Sequence, residues 1–488
     1  MKLKLGRRTL EAGAAGVLVI GLLVVAAVTA LGITGWEYSN SNAFCTNVCH
    51  SVHPEEPKAH AASLHARVNC VECHMGRLST LHLMALKPTH INELWGMIVG
   101  YERPTVSHSL RPARESCEAC HYPQARHADT LRVRYRYADD AKSTETRYNL
   151  QLHTGSGEAR GALVADNESG AGMTVRKGIH WHVAQEIQYA ATDAQHQNIV
   201  LVEVHGPDGK VTGTYFDPTK GMSRADADKL PKRRMDCIDC HNASGHPFPN
   251  PADLVDEALA EQRIDRSLPS IKARSNAIIA KSAGTVGPEE ERAAKFKTII
   301  DESAPKPADP KNQAAEGKFA TEMQRILVLT SFQSDHAKKP LSWKTFPNDV
   351  GHKDSPGCFR CHDGKHQDEK GQAVRLQCTL CHGVPQVARE DGAHSVASTV
   401  APGMSPPDFH SDPNFMHEHR FKVDDSCAAC HGPPKWGKDG GNFCANPACH
   451  GRQWPEVNLN VEAAKPASAD GNAPKPATVA DKKASPKK

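Results

Sequence analysis

A chain of 488 residues is too long for one compact core, and 59 Lys+Arg against 56 Asp+Glu leave a formal charge of only +3, which excludes the strong basic field that nucleic-acid binding needs. A hydrophobic share of 39% with so little net charge also excludes disorder throughout. The 28 His outnumber the 12 Phe, 8 Tyr and 6 Trp together, so histidine serves something besides packing.

In chain order, Lys2, Lys4, Arg7 and Arg8 precede an uncharged run of 25 residues from Ala12 to Trp36. As a helix rising about 1.5 Å per residue, that run reaches about 37 Å, enough for a hydrocarbon layer of about 30 Å. The positive flank predicts a cytoplasmic N-terminus (residues 1–8) and a transmembrane anchor over 9–36, with Trp36 and Tyr38 at the far interface. A cleaved signal peptide, with Val28-Thr-Ala30 as its processing site, is the alternative, although its apolar region is normally about 7–15 residues. A cysteine-rich segment over 37–128 follows. Residues 129–235 lack cysteine and change character: Arg132-Val-Arg-Tyr-Arg-Tyr137 alternates as a strand does. Asn198–Val204, Gly206-Pro-Asp-Gly209 and Lys210–Phe216 read as a hairpin, so a small β-rich insert is predicted. His180 and His182 would share one face of a strand there. In 236–300 a further cysteine pair precedes a helix starting at Asn250-Pro251, with Leu254, Val255, Ala258 and Leu259 along one face. Residues 301–317, rich in Pro, Ala and Lys, read as a linker, 318–457 as a distal cysteine-rich domain, and 458–488 as a disordered tail.

All 16 cysteines fall into eight pairs, and a histidine follows each pair at once. Six read CxxCH: Cys70/Cys73/His74, Cys117/Cys120/His121, Cys237/Cys240/His241, Cys358/Cys361/His362, Cys378/Cys381/His382 and Cys427/Cys430/His431. Two are stretched, Cys45/Cys49/His50 with three intervening residues and Cys444/Cys449/His450 with four. CxxCH is the attachment signature of c-type haem: two thiols reach the two vinyl groups of one porphyrin, and the adjacent imidazole ligates iron. Zinc sites and redox pairs do not require a histidine after each unit; random placement would supply all eight on the order of 10⁻¹⁰ of the time. The chain therefore reads as a multihaem cytochrome c with eight covalently bound haems, His50, His74, His121, His241, His362, His382, His431 and His450 being the proximal iron ligands. Such haem density predicts mainly short α-helices and loops around stacked haems. It also predicts haem attachment outside the cytoplasm, with the first cysteine only nine residues beyond Trp36 at the membrane surface.

The spare histidines outnumber the irons. His65, His108, His246, His352, His366, His394, His410, His417 and His419 are the candidate distal ligands by their positions near the motifs, beside surface and haem-propionate roles for any one of them. Bis-histidine ligation keeps potentials low. No motif carries lysine in place of its histidine.

Residues 7 to about 125 resemble the NapC/NirT family of membrane-anchored multihaem quinol dehydrogenases. The likeness rests on the apolar anchor, Cys49-His50-Ser51, Ser63-Leu-His65, Cys70-Val-Glu-Cys73-His74, and Met84-Ala-Leu-Lys87 through Glu93-Leu-Trp-Gly96 to Gly100. The remainder, with Ser355-Pro-Gly-Cys-Phe-Arg-Cys-His-Asp-Gly-Lys-His366, is similar to the longer inner-membrane multihaem cytochromes of metal-respiring bacteria. The resemblance implies menaquinol oxidation beside the first haem, with Lys87 as quinol-site lysine and Glu93 as its acidic partner, His90 being a further candidate proton acceptor. Electrons would pass to periplasmic or outer-membrane cytochromes. The family usually carries CxxCHxM at its first haem; here the spacing is CxxxCH, and Val52 and His53 follow His50, so the axial ligand of that iron is open.

Two other functions fit the same motifs: a periplasmic terminal reductase for nitrite, hydroxylamine or a sulfur oxyanion, which needs one iron with an open face, and a passive electron wire without a quinol site.

Overall fold

The computed structural model describes residues 3–49, 55–90, 95–96, 98–100, 111–121, 129–156, 163–165, 173–175, 178–305, 310–333, 340–376, 380–383, 385–390, 394–395 and 454–458. Helix α1, Leu3–Ser39, runs through the whole uncharged stretch. Its portion Gly16–Ser39 has a hydropathy of 2.7 over its most apolar window and is not buried by the rest of the chain, so its apolar side chains face outward all round. It stops where polar side chains take over its last carbonyls: Ser39 Oγ and Asn40 Nδ2 each donate to the Trp36 carbonyl at 2.8 Å.

Short helices follow: α2 (Glu55–Ala61), α3 (Cys70–His74), which is the second attachment motif itself, and α4 (Thr80–Leu86), capped by the Ser79 side chain. Strands β1 (Thr130–Tyr137) and β2 (Glu145–Leu152) form an antiparallel pair with Tyr135 opposite Arg147. A small pair, β3 (Leu163–Ala165) with β4 (Met173–Val175), precedes the one-turn helix α5, Trp181–Ala184. Strands β5 (Glu186–Ala191), β6 (Ile199–His205), β7 (Val211–Phe216) and β8 (Arg233–Arg234) make a sheet of order β7-β6-β5-β8. Its β6–β7 hairpin is the one the sequence predicts, with Gly209 at φ +76 closing the turn.

Four longer helices come next: α6 (Pro251–Ala260), α7 (Ile271–Ser282), α8 (Glu289–Glu302) and α9 (Gln313–Thr330). Asn250 caps α6 through its side chain and Pro251 occupies the first turn; Val255, Ala258 and Leu259 are buried and Leu254 packs against them, as the spacing predicts. Ile271 and Ile278 of α7, Phe296 and Ile300 of α8, and Phe319, Met323, Ile326 and Leu327 of α9 complete one core with Tyr137 of β1. Each such side chain, fully buried, contributes about 1.5–3 kcal/mol. The pairs β9 (Phe332–Gln333) with β10 (Pro340–Leu341), and β11 (Gln386–Arg389) with β12 (His394–Ser395), follow.

Three expectations change. The helices are not mainly short: beyond the N-terminal helix, the fold mixes strands with helices of up to 18 residues, because residues 251–330 carry no cysteine and build an ordinary apolar core. The linker read over 301–317 is shorter, since α9 begins at Gln313 and its Phe319 is already core. The β-rich region does not close on itself: its first sheet has the order β1-β2-β11-β12, so residues 386–389 pair with β2, Val387 opposite Tyr148. Of the tail read as disordered over 458–488, everything from 459 onward lies outside the described residues.

Candidate functional site

The attachment segments are stitched to one another by polar contacts in chain order. Cys70 N donates to Asn42 Oδ1 at 2.9 Å, joining the second motif to the turn that carries Cys45. Arg77 N donates to the Glu115 carbonyl at 2.9 Å, joining the second to the third, and Ala113 N donates to Asp236 Oδ2 at 3.3 Å, joining the third to the fourth. The fourth motif is a single 3₁₀ turn closed by reciprocal capping between Asp236 and Asp239. Arg360, inside the fifth motif, donates to the Asp239 carbonyl inside the fourth and pairs with Asp349 at 3.2 Å. Gly357, at φ +49, admits only glycine, because a Cβ there would lie 1.6 Å from the Gly351 oxygen; this lets Cys358 N donate to that oxygen. The sixth motif hangs on the edge of β2: His153 N donates to the Cys381 carbonyl and Gly383 N to the Gln151 carbonyl.

The thiols follow the same order. Cys73 shares the field of Cys117 and Cys120, and Cys240 that of Cys358. Cys117 and Cys237 are within hydrogen-bond reach. That bond draws the Cys117 thiol down and, with burial, pushes Cys237 up.

The histidines are arranged in facing pairs. His74 faces His246 with ring centres 6.0 Å apart, His121 faces His65 at 6.1 Å, and His241 faces His180 at 6.4 Å. His362 faces His182 at 5.8 Å, and His382 faces His352 at 6.3 Å. Every motif histidine whose ring is described thus has a second imidazole across from it. A metal nitrogen bond of about 2 Å on each side, with the ring centres just beyond, requires a separation of about 6 Å. The observed gaps fit an iron held between two rings. The outer ring nitrogens agree: Nδ1 of His65, His180, His182, His246, His362 and His382 lies 2.6–3.2 Å from the carbonyl of Ser244, Thr154, Ile179, Glu56, Arg375 and Gly383 respectively. Donation through Nδ1 turns Nε2 toward the gap and fixes each ring's orientation, as a histidine iron ligand requires. Burial holds the His182 imidazole below its ordinary range, and burial with the neighbouring His182 lowers His362 to about 4, so both stand ready in the neutral, ligating form.

Of the distal candidates, His65, His246 and His352 therefore face motif rings. His366 does not: it is fully buried against Asp363, with Nδ1 3.0 Å from Asp363 Oδ1. His108, His410, His417 and His419, and the side chain of His394, lie outside the described residues, as do His50, His431, His450, Cys378, Cys427, Cys430, Cys444, Cys449 and the Cys49 side chain. His180 and His182 do not share a strand face. They lie at the start of α5, two positions apart on a helical turn, and so aim at the fourth and fifth motifs separately. His60, a residue the sequence did not single out, also lies 6.1 Å from His246, ring centre to ring centre. Its signal was only its place one turn before Ser63-Leu-His65.

At the end of α1, an open cavity of about 690 Å³ is lined by Trp36, Glu37, Asn40 and Ser41, and by Asn69, Glu72, Arg77 and Leu83. Arg77 Nε donates to Glu72 at 2.6 Å across it. Lys87 stands beside this cavity: its ammonium donates to the Ser39 carbonyl at 3.0 Å, bonds Ser39 Oγ and lies 4.5 Å from the Trp36 ring centre. Burial lowers the Lys87 pKa, against the opposing field of Cys45. The His90 side chain and Glu93 lie outside the described residues. Glu37 is the acid the sequence reading passed over, although it is the first charge after the apolar run.

A membrane-type helix, serial CxxCH segments and imidazoles set an iron's width apart define a c-type cytochrome. Residues 8–107 match the N-terminal region of the NapC/NirT cytochrome c family. The chain is also 34% identical over 366 residues to the cytochrome c-type protein ImcH of Geobacter sulfurreducens, covering 74% of this chain and 68% of that protein. It belongs to the NapC/NirT cytochrome c family, as a membrane-anchored multihaem cytochrome of electron transfer carrying covalent c-type haem. No solved structure matches it.

Proposed function

We propose that the protein carries eight haems and oxidises menaquinol at the outer face of the inner membrane, with its N-terminus cytoplasmic, passing electrons to periplasmic or outer-membrane cytochromes. The observation that carries the relay is the run of facing imidazoles. In this reading His74/His246, His121/His65, His241/His180, His362/His182 and His382/His352 are the axial pairs of the second to sixth centres. The polar stitching and the shared thiol fields support a relay whose spatial order follows the chain. Phe359, within the fifth motif and stacked 4.4 Å from His352, supports contact between the fifth and sixth.

The haems, when bound, supply one-electron redox chemistry. The chain supplies the rest: Trp36 and Leu83 give the cavity apolar walls for a quinol ring, while Glu37 and Glu72 stand there to take its two protons. Lys87 fixes the end of α1 against the haem segment through Ser39 and Trp36, which makes it a positioning residue for that cavity. A terminal reductase would need an open iron. Among the described residues every motif imidazole has a facing ring, so such an iron would have to sit at His50, His431 or His450.

The test is reduction of the liposome-embedded full chain by a menaquinol analogue, followed by haem absorbance. Reduction that slows about tenfold or more in Glu37→Gln is expected for loss of a proton acceptor. Wild-type haems that stay oxidised would overturn the quinol site and leave the passive wire.

A further inference from the structure

We propose that Asp217, Asp363 and His366 form a non-haem site for a divalent transition cation of the zinc class, clamping the fifth attachment segment to the β7-β6-β5-β8 sheet. One donor atom from each of the three lies within 4.8 Å of the others. Their exposures are 0%, 2% and 0%, so none meets solvent. Two of their atoms, Asp217 Oδ2 and His366 Nε2, are buried without any hydrogen-bond partner. Three neighbouring atoms are occupied. Asp217 Oδ1 accepts from Thr219 N at 2.8 Å and Thr219 Oγ1 at 2.7 Å; Asp363 Oδ1 accepts from Lys365 N and His366 N at 2.8 and 3.1 Å and lies 3.0 Å from His366 Nδ1.

The backbone holds this grouping rigidly. Phe216 and Gln367 exchange both of their backbone hydrogen bonds, at 2.9 and 3.0 Å, which sets Asp217 and His366, the residues next to that bridge, against one another. Two buried carboxylates so close together are costly unless a positive charge joins them. Among the described residues neither pairs with a lysine or arginine; the only ion-pair contact is Asp363 with His366. A divalent cation neutralises both acids and satisfies both orphaned atoms at once. Two carboxylates with one imidazole suit zinc or a neighbouring transition ion better than calcium, which takes oxygen ligands.

The test is elemental analysis of the haem-loaded full chain after incubation with zinc and dialysis, with haem content and spectrum recorded in parallel. One equivalent of zinc or a related ion beyond the haem iron is expected, lost in Asp217→Asn and in His366→Ala while the low-spin haem spectrum stays unchanged. Asp217→Asn is isosteric and keeps the cap on Thr219, so its loss of metal reads the site rather than the fold. Absence of a stoichiometric non-haem metal in the wild type would overturn the proposal, as would retention of the metal in Asp217→Asn. A haem turning high-spin in His366→Ala would overturn it too, by making His366 an iron ligand.

Discussion

Residues 251–330 and the attachment segments solve the same problem with different materials. The four helices α6 to α9 bury Ile, Leu, Phe and Met against one another, with Phe319 and Met323 at 2% and 0% exposure. The attachment segments contribute few apolar side chains. They are held by single backbone-to-side-chain bonds such as Cys70 to Asn42 and Ala113 to Asp236, and their histidines stand apart across gaps. One region is complete as polypeptide; the other is a frame whose filling is porphyrin. Stability should therefore reside in the first and spectroscopic identity in the second.

The largest expected effect on stability is Phe319→Ala, which empties the middle of the helical core and should cost about 3–5 kcal/mol, read as a lower denaturant midpoint by far-UV circular dichroism. An unchanged midpoint would refute a haem-independent core. Next is Lys272→Met. Lys272 Nζ pairs with Asp256 at 2.6 Å with both side chains buried, so the change strands a carboxylate. The loss should be about 3 kcal/mol, at the low end for a buried pair because Arg136 also reaches Asp256 at 3.2 Å. His182→Ala sharpens the contrast from the other side. The midpoint should move less than in either core variant, while one haem's share of the low-spin signal turns high-spin; a wholly low-spin spectrum would remove His182 from the axial set. His60→Ala, by the same measurement, should leave the spectrum unchanged if His246 serves His74. The smallest effect is Asn250→Ala, which removes the side-chain cap of α6 and should cost about 1 kcal/mol without touching the haem spectrum.

Much of the site was legible in the sequence, because covalent chemistry imposes local spacing. Cysteine pairs with a following histidine mark the candidate attachment points whatever the fold does. The apolar run, the β6–β7 hairpin and the start of α6 were legible for the same reason: hydropathy, a Gly-containing turn and an Asn-Pro cap act over a few residues. The proposed distal ligands were only partly legible. His65, His246 and His352 lie close to motifs in the chain, but each faces a motif other than the nearest: His246, five residues after the fourth motif, meets His74 of the second. His180 and His182 looked like neighbours on one strand, and a single helical turn sets them against two different motif histidines.

The sequence by itself determined what is covalent or periodic: where haem can be attached, which stretch suits a bilayer, and which residues alternate or cap. The tertiary structure alone decided which imidazole stands opposite which, that β11 joins β2 across more than two hundred residues, and that Asp217 meets Asp363 and His366. The physical reason is range. Bond geometry and backbone propensity act between neighbours in the chain, whereas ligand pairing depends on distances that only the packing of remote segments sets.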